Sequence, residues 1–287
     1  MFKLIAIAAF VLSFFVLPIH AQTEQIVWET DFKKAQIMAR ESGKPLLLDF
    51  TASWCKPCVA MDKEFWVLGD VVKAMKPFIA VKINFDDEKS LVSRYGVNAI
   101  PFVAFADPLG NMVTFRRGFG QKNVKELNLI FDEMPKDFSF LKKAYGAIEV
   151  NKQDGNALLE IADFYRASKM LTLSNDFYKR ALKADEIKIK PETVERVAAI
   201  LGSNSYIAGD DKQAIKFLED YLNDYPKGAS REVITAMAGI SSARLEKFKE
   251  AEKYKQLLTS EFPNSKHAAT IDTTVETYKN KKKEKKN

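Results

Sequence analysis

The chain has 287 residues, 47% of them hydrophobic and 29% charged, which excludes wholesale disorder and leaves room for two packed domains. Its net charge of +6 is concentrated: the tail from Tyr278 holds Lys279, Lys281, Lys282, Lys283, Lys285 and Lys286 against Glu284, and with that tail and Lys3 set aside 37 basic and 37 acidic residues remain. A neutral body carries no long-range basic field, so nucleic acid is not an expected partner.

Met1-Phe2-Lys3, an apolar run from Leu4 to Leu17 and then Pro18-Ile19-His20-Ala21 have the basic start, short apolar stretch and small final residue of a secretory signal peptide. The run is shorter than the roughly 20 residues of a spanning helix. The expectation is export, to the periplasm in a bacterium, with residues 1–21 removed; an uncleaved anchor is the alternative. The chain has only two cysteines, Cys55 and Cys58. A pair this close cannot close a long loop and adds little by chain entropy, so its purpose is read as chemical.

From Ile26 to Phe138 helical and strand patterns alternate. Trp28, Phe32, Ala35, Met38 and Ala39 fall at helical spacing up to Gly43. Leu46 to Phe50 is a continuous apolar run of strand length interrupted only by Asp49, the pattern of a strand buried on both faces. Phe78 to Ile83 and Phe102 to Phe105 are two more, with a short helix through Leu91, Val92 and Tyr95 between them. Met112 to Phe115 follows a turn at Pro108-Leu109-Gly110-Asn111, giving a hairpin, and Val124, Leu127, Ile130 and Phe131 outline a last helix. The expected fold of residues 22–138 is α/β, with a mixed central sheet flanked by helices.

After Lys142 no strand pattern remains. Phe177 and Ala181 line up with Phe217 and Tyr221, and these with Tyr254 and Leu258, at offsets of 40 and 37. Tyr225-Pro226 matches Phe262-Pro263. An aromatic-Pro end on alternate helices resembles the tetratricopeptide repeat, whose usual period is about 34. The resemblance implies three helix pairs and a final helix over 139–280, able to hold a protein partner, with 281–287 a basic disordered tail. Contact of that tail with anionic lipid or an acidic surface is the alternative.

Disulfide exchange needs an exposed thiolate and a second thiol close behind it. Two intervening residues place both sulfurs at a helix start, where free N–H groups and partial positive charge lower the first thiol's pKa. Pro57 suits a first helical turn. Cys55 is therefore the expected nucleophile and Cys58 the resolving thiol. A zinc site lacks its other half, because the only histidines are His20 and His267; no metal and no cofactor is expected.

Leu48-Asp49-Phe50-Thr51-Ala52-Ser53-Trp54-Cys55 resembles the strand leading to the active site in the thioredoxin superfamily, and the likeness runs over roughly residues 26–137. It implies that Asp49 is the buried acid exchanging protons with the resolving cysteine and that Lys82 lies beside it. Tyr95-Gly96-Val97-Asn98-Ala99-Ile100-Pro101 matches the segment before the superfamily's cis proline. That implies a cis Pro101 packed on Cys55, an Ile100 main chain free to pair with an extended substrate, and Trp54 shielding the disulfide and contacting substrate. Gly43-Lys44-Pro45 and Phe65 to Val72 are similar to the thioredoxin-like domain of bacterial thiol:disulfide interchange proteins. Lys56 stands where thioredoxins usually carry glycine.

The expected activity is thiol–disulfide exchange on disulfide-bearing proteins, in the reductase direction, with a membrane thiol protein as electron donor. An oxidase or isomerase direction is the alternative, as is a repeat-based binding protein whose redox domain is secondary.

Overall fold

The computed structural model describes residues 24–284; the expected signal peptide and Lys285 and Lys286 lie outside them. Asp31 opens the first helix. Its extended backbone stops the helix from starting earlier, and its carboxylate accepts the N–H groups of Lys33 and Lys34. Helix α1 (Phe32–Ser42) therefore excludes Trp28, which the periodicity had placed on it. Trp28 instead lies in strand β1 (Trp28–Glu29), paired in parallel with Ala80. Two residues are too few for an alternation pattern to register, which is why the strand escaped the sequence reading.

Strand β2 (Leu46–Thr51) leads to α2 (Lys56–Glu64) and α3 (Gly69–Met75), and β3 (Ile79–Asn84) to α4 (Lys89–Arg94). The hairpin β4 (Phe102–Ala106) and β5 (Met112–Arg117) and helix α5 (Gln121–Glu133) complete the domain. The sheet order is β1-β3-β2-β4-β5, with β1, β3 and β2 parallel and β4 and β5 antiparallel. This is the mixed sheet expected, with helices on both faces.

Alternation along the strands separates two cores. Leu46, Leu48, Phe50, Val81 and Ile83 face α1 and α4. Leu47, Ala80, Val103 and Phe105 face α2, α3 and α5. Asp49 and Lys82 stand opposite one another in the β2–β3 register and share the second face. That puts a carboxyl and an ammonium under α2, where apolar residues would otherwise sit.

The second core does not stop at residue 138. It continues through Phe138, Leu141, Tyr145, Tyr165, Phe177 and Leu201. Helix α6 (Lys142–Val150) leads into three antiparallel pairs: α7 (Gly155–Ala167) with α8 (Leu171–Ala181), α10 (Pro191–Ile207) with α11 (Asp211–Asp224), and α12 (Arg231–Arg244) with α13 (Phe248–Glu261). The short α9 (Asp185–Lys188) joins the first pair to the second. Each pair turns through one residue in the left-handed region: Lys169 at φ 60, Gly209 at φ 76 and Glu246 at φ 59. The main-chain bonds Met170 N to Tyr165 O, Asp210 N to Ser205 O and Lys247 N to Ser242 O close the three turns alike. These turns are 40 and 37 residues apart, the offsets of the aromatic pattern.

Helix α14 (His267–Glu284) covers α12 and α13 through Ile271, Ala268 and Val275. The tail expected to be disordered from residue 281 is helical as far as Glu284. Lysines in a last turn suit the negative end of the helix dipole, and Lys282 ion-pairs with Glu246 at 2.7 Å.

The helical region joins the sheet at the end opposite the cysteines. Phe138 N donates to Gly43 O at 2.7 Å, just before β2, and Arg40 pairs with Glu149. At the end of β4 the Tyr165 hydroxyl donates to the fully buried Asp107, whose other bonds come from Asn111 N and Nδ2 at 2.7 and 2.9 Å. Burial raises the Asp107 pKa, and those donors oppose the rise.

Candidate active site

Strand β2 ends at Thr51, and Cys55 caps the helix that follows. The Cys55 sulfur accepts the N–H of Cys58 at 3.3 Å and Pro57 lies in the first turn, where its missing N–H costs nothing. Cys55 and Cys58 form a disulfide and are 4% and 2% exposed. Ala52, Phe85 and Ile100 pack around them. When the bond is reduced, the N–H at 3.3 Å and the helix N-terminus favour the Cys55 sulfur as thiolate.

The Ile100–Pro101 peptide is cis, and Pro101 O accepts Gly118 N at 2.8 Å, tying the start of β4 to the end of β5. Among the described residues no hydrogen bond reaches the Ile100 main chain, and its side chain lies against the disulfide. Trp54 is placed differently from the expectation. Its ring is 62% exposed, and its Nε1 donates to Asp86 Oδ2 at 2.6 Å. It stands edge-on to Phe85 at 6.5 Å between ring centres. Phe85 and Ile100 pack on the disulfide, and Trp54 forms an exposed rim.

Lys82 Nζ lies 3.0 Å from Asp49 Oδ2, forms a second ion pair with Asp62 on α2, and sits 4.4 Å from the centre of the Trp28 ring. Burial pushes the Asp49 pKa up, and the Lys82 charge only partly offsets it. For Lys82 burial works against the charge, but the Asp49 and Asp62 carboxylates outweigh it and hold the ammonium above its ordinary value. A cleft of about 420 Å³, lined in part by Thr51, Ala52, Val59, Asp62 and Lys82, opens beside this pair. The result is a desolvated carboxyl whose pKa is raised, next to a cation that can steady its charged form.

The structure thus gathers Cys55, Cys58 and Ile100 in one cluster and Asp49 and Lys82 in one ion pair. Three neighbours escaped the sequence reading. Asp62 lies four residues after Cys58, one helical turn on, and that spacing was the available signal. Asp86 and Phe85 reach Trp54 across 32 and 31 positions, and no local pattern marks them.

A family model described as thioredoxin-like matches residues 27–108. The thioredoxin of Rickettsia felis is 32% identical over 98 residues, which are 34% of this chain and 87% of that protein. The thiol:disulfide interchange protein DsbD of Colwellia psychrerythraea is 29% identical over 114 residues, 38% of this chain and 19% of that protein. A solved thioredoxin of Trypanosoma brucei brucei superposes with a TM-score of 0.32 at 19% identity, covering 42% of this chain and 100% of that one. The chain spans about half the length of other curated relatives it matches, 45% and 59% of two plant thioredoxins.

Proposed function

The chain belongs to the thioredoxin family, and on that premise we propose that it is an exported thiol–disulfide oxidoreductase that reduces disulfides in other proteins. The observation that carries this reading is a disulfide at a helix N-terminus, on the same domain as a buried Asp49 whose pKa burial raises.

In the reduced state the Cys55 thiolate attacks one sulfur of a client disulfide. A Cys55–client bond forms, the client's own bond breaks, and its second sulfur leaves as thiolate. Cys58, deprotonated with Asp49 as proton acceptor, then attacks the Cys55 sulfur. This reforms the Cys55–Cys58 bond and releases the first client sulfur, so two electrons pass to the client. Lys82 stabilises Asp49 while it is charged. The Ile100 main chain, beside cis Pro101, pairs with an extended client segment by strand addition, and Trp54 supplies apolar contact at the rim.

A thiol protein of the membrane re-reduces the pair; the similarity to an interchange protein supports this donor class. The helix pairs, read as degenerate tetratricopeptide repeats, recognise a protein partner. The compartment is the periplasm if the source is bacterial, with residues 1–21 as the signal peptide.

The test is trapping. Cys58→Ser should accumulate client adducts that dithiothreitol releases, and Cys55→Ser should form none. Absence of adducts, together with failure of the wild-type chain to reduce insulin, would reject the reading. A second reading, a binding protein with a subsidiary redox domain, is favoured by the size of the helical region and its placement away from the cysteines. Partners retained by Cys55→Ser/Cys58→Ser but lost on cutting into the helix pairs would support it.

A further inference from the structure

The positive charge of the chain lies at one end. Residues 24–138 carry 16 basic and 16 acidic side chains, and residues 139–243 carry 15 of each. Among the described residues from Arg244 to Glu284 there are 10 basic residues against 7 acidic ones. Helix contacts run in series from α6 to α14, with α14 packed on α12 and α13. The excess therefore collects at the end of the helical array farthest from the redox domain.

These lysines are gathered in space. The basic end of α14 returns over the turn between α12 and α13, where the ammonium groups of Lys279 and Lys282 lie 5.6 and 5.8 Å from the centre of the Phe248 ring. Lys281 lies 4.9 Å from the Tyr278 ring centre. Lys247 and Lys249 flank Phe248 in the chain, and both are exposed, as are Lys279, Lys281 and Lys283. Phe248 and Tyr278 stay half-buried among them.

We propose that this end of the molecule docks on the surface of an anionic lipid bilayer. Beyond Arg244 the cations are lysines, with no arginine. Lysine is a flexible point charge suited to a diffuse negative potential, whereas bidentate reading of single phosphates or carboxylates favours the guanidinium fork. Half-buried aromatic rings among basic residues fit the headgroup layer, where an apolar body and a charged tip are both accommodated. The redox face lies at the opposite end of the sheet from the helical region, so docking leaves that face, with Trp54 exposed at its rim, turned away from the bilayer. The inference stands whether or not the redox reading holds.

The test is sedimentation of the full chain with vesicles of phosphatidylcholine alone or mixed with phosphatidylglycerol, at low and high salt. Any contribution of the apolar leader is common to both vesicle types, so the difference between them isolates charge. The expected result is preferential binding to the anionic vesicles that high salt removes. Lys249→Gln/Lys281→Gln/Lys283→Gln should weaken it about fivefold per lysine, roughly a hundredfold in all, with insulin reduction unchanged. Equal binding to both vesicle types, no binding to either, or an unaltered preference in the triple variant would overturn the proposal. Tighter binding to duplex DNA than to anionic vesicles would overturn it in favour of nucleic acid. The salt dependence of the wild-type chain stands as a test even if the variant misfolds.

Discussion

Asp49 sits on a strand face between Leu47 and Thr51, under α2, where the fold has every reason to place an apolar residue. Its pKa is raised in the folded state, burial outweighing Lys82. The protonated form is therefore the one the fold favours. Stability is greatest below the ordinary carboxyl value of 3.8, falls as pH rises from there toward the raised value, and carries the full cost above it. Asp49→Asn should accordingly stabilise the chain at neutral pH, with the gain vanishing in acid. It should also slow client reduction by roughly a hundredfold, the low end of general acid–base contributions. Thermal melts across pH and single-turnover reduction measure the two effects; a variant less stable at neutral pH, or one with undiminished rate, would contradict this assignment. Asp49 was legible because it breaks an apolar run, and the cysteines because two thiols three positions apart have few structural uses. Asp86 and Phe85 act through partners brought close only by folding, so composition and periodicity could not single them out; for Asp62 the helical spacing from Cys58 was the one signal.

The elements were legible where apolar spacing is long enough to show a period. The strands β2, β3 and β4 are buried on both faces and read as apolar runs broken inside only by Asp49 and Lys82, and the amphipathic helices read at 3.6. Trp28 went astray because a single tryptophan fits a helical period as well as a strand, and Asp31 decides between them. In the helical region the aromatic offsets of 40 and 37 recur as the spacing of the three helix-pair turns. The offsets do not show that two of those turns put a non-glycine residue in the left-handed region. Lys169, at φ 60, occupies a position where Gly209 serves in the next pair. Lys169→Gly should therefore stabilise the chain by about 0.5–1 kcal/mol through relief of backbone strain. Denaturant melts of the variant would show the gain as a higher midpoint at unchanged slope; a lower midpoint would mean that the lysine side chain outweighs the strain.

Over the whole molecule, the reading of two domains meeting at residue 138 describes the chain order but not the packing. One apolar cluster runs from Leu47 and Phe105 in the sheet to Tyr165 and Leu201 in the helices, and the Tyr165–Asp107 bond crosses the junction. A sequence shows where strands stop, not which later helices bury the face they leave. Calorimetry of the oxidised protein should show one cooperative transition rather than two, and Tyr165→Phe should lower it by removing a donor from a buried carboxylate, at a cost of about 1–3 kcal/mol. Two separated transitions would mean that the shared core does not couple the halves. The claim on which the account rests is that Cys55 and Cys58 cycle as a reducing dithiol. The most direct measurement is the reduction potential of that pair, by equilibration of the purified chain with dithiothreitol or glutathione buffers. The account predicts a value near the roughly −270 mV of thioredoxin; a value near the roughly −120 mV of strong oxidants, or a pair that does not exchange at all, would contradict it.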